Sequence, residues 1–299
     1  MLTRVLVSGS TGFIGSALVR RLTEEGITVR RLVRRAPATG SDDVHWDPRQ
    51  GVIAPRALDG VDAVVHLAGE KIDQRWSADT KRELRDSRVR GTELLARAIA
   101  EAPVPPRVLI SGSAVGIYGD RGDELLDETS APGDDFLARV GAEWEAAARP
   151  AAAAGVRLVH PRTGIVLSPH GGALARMLPP FRLGVGGPTG SGRQWVSWIA
   201  LDDMVGALRF ALRTDTLSGP VNFTAPEPVR NAELAATLGR VLHRPAVLTT
   251  PKLALSVMFG REMVAATLLA SQRAIPRALT TAGYQFEHRE LEGALRAML

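Results

Sequence analysis

The chain reads as an α/β protein: a doubly wound parallel sheet followed by a smaller, mostly helical C-terminal lobe. Three observations predict this. A glycine-spaced turn, Gly9-Ser10-Thr11-Gly12-Phe13-Ile14-Gly15, follows the apolar run Val5-Leu6-Val7. Short apolar strands then alternate with long helical stretches, the pattern of crossover connections between parallel strands. From Gly171 onward that rhythm breaks into glycine- and proline-rich loops and further helices.

The elements follow in order. Val5 to Val7 forms the first strand, and Gly9 permits the sharp turn out of it. Gly12 lets the backbone approach a pyrophosphate, and Gly15 lets the next helix pack closely. That helix runs from about Ile14 to Glu25 and ends at Gly26. Its unpaired N-terminal amides suit an anion, so the opening segment reads as a dinucleotide-binding turn. Val29 to Val33 is the second strand. Ala63 to His66, Val108 to Ser111 and Val156 to Pro161 continue the sheet, separated by helices at about Ala78 to Glu101 and Phe136 to Ala154. A short strand is expected near Val221-Asn222-Phe223, with helices near Asn231 to Leu242 and Pro251 to Leu269, and a sheet-facing helix around Trp198 to Ala211. These assign residues 1–170 to the dinucleotide domain, with a return near 195–225, and 171–299 mainly to the substrate side and C-terminal lobe.

The end of the second strand reports on the cofactor. A carboxylate there would accept hydrogen bonds from an unphosphorylated ribose, but the residues are Val33-Arg34-Arg35. The planar fork of arginine suits a phosphate, so NADP(H) is expected over NAD(H). The plainer reading is that Arg30, Arg31, Arg34 and Arg35 form a solvated basic edge.

Composition narrows the function classes. The chain has 299 residues, a net charge of +5, no cysteine and three lysines, Lys71, Lys81 and Lys252. Disulfides and thiol catalysis are excluded. The basic residues are dispersed and the two tyrosines form no stacking series, so no nucleic-acid partner is expected. With neither an apolar run of about eighteen residues nor a signal segment before the first strand, the chain is expected to be cytoplasmic, with no membrane partner. The six histidines show no ligand spacing, so no metal is expected. Oligomeric state has no signature here.

Ligands of open parallel sheets bind beyond the C-terminal strand ends, where three segments converge. These are His66-Leu67-Ala68-Gly69, Ser111-Gly112-Ser113 with Tyr118-Gly119, and Pro161-Arg162-Thr163-Gly164. Leu67 and Ala68 can line an adenine or ribose. Ser113 can donate to a substrate oxygen or serve a local turn, and Tyr118 can supply a phenolic donor or pack beneath that turn. Arg162, Gln194 and Asp202-Asp203 are expected to face the cleft, although Asp202 can equally cap a helix. Trp76, Trp195 and Trp198 read as core between lobes or as walls of an anion site.

Further segments extend the pattern: Leu67-Ala68-Gly69-Glu70, Arg75-Trp76, Ser87-Arg88, Ser113-Ala114-Val115-Gly116-Ile117-Tyr118-Gly119, Arg162-Thr163-Gly164-Ile165-Val166-Leu167, Pro180-Phe181-Arg182-Leu183-Gly184, Gly190-Ser191-Gly192-Arg193-Gln194, Ser197-Trp198-Ile199 and Gly283-Tyr284. Together with the glycine turn, they resemble the extended branch of the short-chain dehydrogenase/reductase superfamily, and within it the nucleoside-diphosphate-sugar epimerase-like group. The resemblance spans nearly the whole chain and implies an NADP-binding Rossmann lobe with its own C-terminal domain. It implies that Gly12, Phe13, Ile14 and Gly15 contact the pyrophosphate, Arg34 the ribose phosphate, and Leu67 and Ala68 the adenosine side. Glu83, Arg88 and Val166 would approach the cofactor, with Gly9, Thr11, Gly69 and Ser111 in the same set. Ser113 would be the catalytic serine.

One departure bears on activity. Members of the superfamily usually pair that serine with a tyrosine about 25 residues on and a lysine four residues later, which lowers the tyrosine pKa. Here Asp134 to Glu145 holds neither. Three readings follow. The first is an oxidoreductase on a small polar carbonyl or alcohol, using Ser113, Tyr118 and Arg162, with a nucleotide-sugar epimerase as its alternative. The second is a non-catalytic NADP(H)-sensing regulatory module. The third is an interaction protein stabilised by the cofactor.

Overall fold

The computed structural model describes residues 2–299. Seven strands form the body of a sheet: β1 (Arg4–Ser8), β2 (Thr28–Val33), β3 (Val44–Asp47), β4 (Ala63–His66), β5 (Val108–Ser111), β6 (Arg157–Thr163) and β7 (Gly219–Phe223). Their spatial order is β3-β2-β1-β4-β5-β6-β7, all parallel. The order reverses at β1, and the crevice beside β1 and β4 is where a doubly wound sheet opens for a ligand. A short antiparallel strand, Val52–Ile53, extends the β3 edge, and Ser113–Ala114 adds to β6.

The sheet is apolar on both faces because helices cover both. Val5, Val7, Val65 and Ile110 face one core with Leu18 and Leu22 of α1 (Phe13–Glu24). Leu6, Val64 and Leu109 face the other, with Leu95 and Ile99 of α2 (Ala78–Ala100). Alternate residues of each strand thus enter opposite layers, and each buried leucine contributes about 1.5 to 3 kcal/mol. The stretch expected as one helix from Phe136 to Ala154 is two: α3 (Phe136–Ala147) and a short turn at Arg149–Ala153, where Pro150 cannot continue the first.

Beyond β6 the chain departs from the expected loops. Residues Gly172–Arg182 form α4, despite Pro179 and Pro180 inside it, because Leu174, Leu178 and Phe181 anchor one face in a second core. Trp198–Ala200 is a strand that pairs with Ile165–Ser168, and the helix expected from Trp198 begins only at Leu201. That helix, α5 (Leu201–Arg213), joins Met204 and Leu208 to the α1 side of the sheet. The small lobe holds α6 (Asn231–Leu242), α7 (Lys252–Phe259), a turn of helix at Arg261–Ala266 and α8 (Leu291–Met298). Gly260, at φ +88°, splits the helix expected over Pro251 to Leu269.

Candidate functional site

At the end of β1 the glycines meet backbone rather than open space. Gly9 lies at φ +68°, and a Cβ there would fall 2.8 Å from the Ala68 nitrogen. A Cβ on Gly15 would stand 2.2 Å from the Gly9 carbonyl oxygen, so the first turn of α1 folds directly onto the loop before it. Gly12 caps the helix with extended backbone and no side-chain cap, and no acidic residue stands in the first turn. The amides of Phe13, Ile14 and Gly15 therefore precede the first intrahelical bond, Ser16 to Gly12, and face out of the helix. This cradle fits a pyrophosphate. The Phe13 ring packs against Gly171 and Gly172, tying α1 to the loop beyond Val166, which is itself nearly buried.

The partner loop after β4 is held by Ser8. Its hydroxyl accepts from the Leu67 and Ala68 amides at 3.2 and 3.3 Å and lies 2.6 Å from His66 Nδ1. Burial pushes the His66 pKa down to about 4, and its ring stands edge-on to Trp46 at 5.7 Å. Arg88 lies beneath Gly69 and donates to the Leu84 and Glu70 carbonyls at 2.9 and 3.1 Å. Its charge survives burial, which lowers its pKa only to about 10. Glu83, on the same helix, is half-exposed and paired with Arg49. Ser111 is fully buried at the end of β5.

The arginines at the end of β2 separate into two kinds. Arg30 donates to the carbonyls of Arg56, Ala57 and Asp59, and Arg31 makes a two-pronged pair with Asp43 at 2.7 and 3.1 Å. Asp42 is engaged by Arg4 and Arg30. Arg34 is exposed beyond the strand and makes no ion pair or hydrogen bond among the described residues. The nearby carboxylates are thus committed elsewhere, and the guanidinium groups of Arg34 and its exposed neighbour Arg35 are both without a partner among the described residues.

Ser113, Tyr118 and Arg162 are brought together, but through a residue that the sequence reading passed over. Ser113 Oγ donates to Glu145 Oε1 at 2.7 Å. The same carboxylate takes two bonds from Arg162, at 2.9 and 3.0 Å. Arg162 reaches on to the Tyr118 hydroxyl at 3.0 Å, which donates to Asn222 Oδ1 at 2.7 Å. Burial works against the Arg162 charge, yet the hydrogen bond and charge of Glu145 outweigh it and hold that pKa above its ordinary value. Tyr118 is wholly buried and burial raises its pKa, so it braces Arg162 from behind. Glu145 lies four residues after Gly141 on α3, within the stretch where a tyrosine and a lysine were sought. A Cβ on Gly141 already touches Ile117 at 3.0 Å, leaving no room for a tyrosine.

One expected cleft residue is placed elsewhere, and of the two readings of Trp198 the structure shows the core one. Asp203 is buried on α5 and accepts from the Glu287 and His288 amides at 2.8 and 2.9 Å, so it anchors the C-terminal segment. Trp198 is core, its Nε1 bonded to the Glu227 carbonyl. Gln194 does line a cleft, while its amide donates to the Thr189 and Leu268 carbonyls. That cleft, about 660 Å³, lies at the seam between the loop after Tyr118 and the small lobe. Arg193, Arg230 and Lys252 line it with Asp120 and Asp123, and Arg230 pairs with Asp123 at 2.7 Å. The guanidinium groups of Arg230 and Arg273 stand over the Trp195 ring at 4.2 and 4.4 Å. Among the described residues no cluster of metal ligands occurs, and no helix is long and apolar enough to cross a membrane.

Comparison with known proteins agrees with this architecture. The model of the NAD dependent epimerase/dehydratase family matches residues 5–223, and that of a domain of unknown function, DUF1731, matches residues 250–298. Epimerase family protein Mb2239 of Mycobacterium bovis is 50% identical over 292 residues, covering 97% of this chain and 96% of the relative. The crystal structure of human epimerase family protein SDR39U1 (isoform 2) with NADPH superimposes with a TM-score of 0.89 at 38% identity, over 99% of both chains. A nucleoside-diphosphate sugar epimerase from Corynebacterium glutamicum gives 0.81 at 39% identity, over all of this chain and 58% of that one. Fold and kinship are those of NAD(P)-dependent enzymes of the epimerase and oxidoreductase type. On its parallel strand order, its glycine turn and the match over most of its length, the chain belongs to the NAD dependent epimerase/dehydratase family.

Proposed function

We propose that the protein is an NADP(H)-dependent epimerase acting on a nucleotide-linked sugar, with Ser113 and Glu145 as its acid-base couple. The observation that carries this reading is the 2.7 Å hydrogen bond that Ser113 donates to Glu145. A serine so committed presents only lone pairs to a substrate, and therefore receives a hydroxyl rather than donating to a carbonyl. The bound nicotinamide would supply a reversible hydride acceptor. As the substrate alcohol is oxidised, its hydroxyl proton passes to Ser113 Oγ while the serine proton passes to Glu145 Oε1. Arg162 keeps the carboxylate oriented throughout, and the return transfer regenerates the couple.

The cofactor would lie with its pyrophosphate on the amides of Phe13, Ile14 and Gly15, its ribose phosphate on Arg34 and its adenosine along Leu67, Ala68 and Gly69. The cleft's two cations without an ion pair among the described residues, Arg193 and Lys252, support a nucleotide diphosphate as the substrate handle, in keeping with the printed name of the Corynebacterium relative. The experiment is a panel of nucleotide sugars with catalytic NADP, read by product separation. A new epimer with no net change in nicotinamide absorbance supports the proposal. A stoichiometric absorbance change identifies a simple oxidoreductase instead, and binding of cofactor without turnover across the panel favours a sensing role. Ser113→Ala should lower turnover by about 10² to 10⁴-fold. Arg34→Ala should weaken NADPH about ten-fold or more and leave NADH unchanged, since a lost charge-assisted contact costs roughly 1.5 to 3 kcal/mol.

A further inference from the structure

The small lobe carries an apolar face that the folded chain leaves uncovered. Thirteen large hydrophobic side chains are exposed among the described residues, and seven gather in two segments: Leu183 and Val185, then Val247, Leu248, Leu253, Val257 and Met258. The segments lie side by side. The Leu248 amide bonds the Gly186 carbonyl, the Thr250 amide bonds that of Pro188, and α7 begins two residues later. α7 is inverted relative to an ordinary surface helix, with Leu253 and Val257 a turn apart and about 70% exposed while Leu255 and Ser256 are buried.

The charge around this face is predominantly positive, Glu262 at its edge being paired with Lys81 and Asp123 with Arg230. Residues 182–193 and 243–261 contain no aspartate or glutamate. Arg182, Arg244, Lys252 and Arg261 are exposed around it, and none is in an ion pair among the described residues. A second copy seated here by a twofold axis would set these cations against their own images, so self-association is disfavoured. The exposed apolar residues are aliphatic rather than the aromatic anchors typical of protein hot spots. Protruding aliphatic side chains ringed by unpaired cations match the boundary between headgroups and acyl chains of an anionic bilayer.

We infer that this face docks the protein on a negatively charged membrane surface, with α7 lying in the interface and the small lobe toward the lipid. Such binding needs no spanning helix. The sequence showed no sign of it because residues about sixty positions apart complete the face only in the fold.

The test is co-sedimentation of the full chain with vesicles of phosphatidylcholine alone, or with about one third phosphatidylserine. Binding should occur on the anionic vesicles only and weaken with salt. Arg244→Gln and Arg261→Gln should each reduce it about five-fold. Leu253→Glu with Val257→Glu should abolish it while leaving NADPH affinity and the circular dichroism spectrum unchanged. Absence of binding to the anionic vesicles at low salt would overturn the inference. So would unchanged binding by the glutamate variant, or a wild-type dimer that this variant converts to monomer, which would give the face to a second copy.

Discussion

A side chain held neutral in the interior makes stability depend on pH, and His66 is such a residue. Its folded-state pKa is about 4, below the ordinary value of 6.5, because burial disfavours the charged ring. The unfolded chain therefore binds more protons between those values, and stability falls as pH drops from about 6.5 toward about 4. The loss attributable to His66 is about 3 kcal/mol over that window. Urea unfolding across this range should show the slope in the wild type and a flatter one in His66→Asn. At Gly15 the constraint is steric. A methyl group 2.2 Å from a carbonyl oxygen forces the start of α1 away from its turn, whereas Gly12 leaves 3.1 Å to the same oxygen. Gly15→Ala should cost about 1 to 3 kcal/mol in urea unfolding and weaken NADPH binding, and Gly12→Ala should cost less.

At the scale of elements, α3 ties the Ser113 turn to β6. It presents Gly141 against Ile117 and Glu145 toward Ser113 and Arg162 on one face of the helix. Removing one partner of a nearly buried ion pair leaves the other charge uncompensated. Arg162→Met should cost about 3 to 5 kcal/mol, whereas Arg162→Met combined with Glu145→Leu should recover part of that loss. Calorimetric unfolding of both single variants and the double variant checks this, and a double loss equal to the sum of the two single losses would mean that the pair is not coupled. The same helix marks the limit of what the sequence conveyed. The glycine turn and the principal strands near their observed limits were legible because each is local: a turn spacing and apolar runs. Strand β3 was not, since Val44-His45-Trp46-Asp47 is short and follows a polar loop. Nor was Glu145, whose role exists only once α3, β6 and the Ser113 turn meet.

For the whole molecule, the question is what holds the small lobe to the sheet. The C-terminal segment acts as a strap: residues 283–288 lie on α5, and α8 then packs Leu291, Ala294 and Leu295 against Leu234 and Leu238 of α6. The fastening is Asp203, which accepts from two backbone amides and from the Tyr284 hydroxyl at 3.2 Å. Gly206, one turn on, leaves the space that hydroxyl fills, since a Cβ there would stand 2.4 Å from it. Asp203→Ala would leave the Glu287 and His288 amides without their acceptor, and a buried unpaired amide costs about 1 to 3 kcal/mol. Hydrogen exchange should accordingly show those two amides losing protection while the amides of β1 and β4 retain theirs. Gly206→Ala should loosen the same strap by displacing Tyr284. Because both variants act on one segment, their stability losses should sum to more than the loss measured for the double variant. Full additivity would mean that Asp203 and Gly206 stabilise the fold separately, and the strap would not be a single fastening between the lobes.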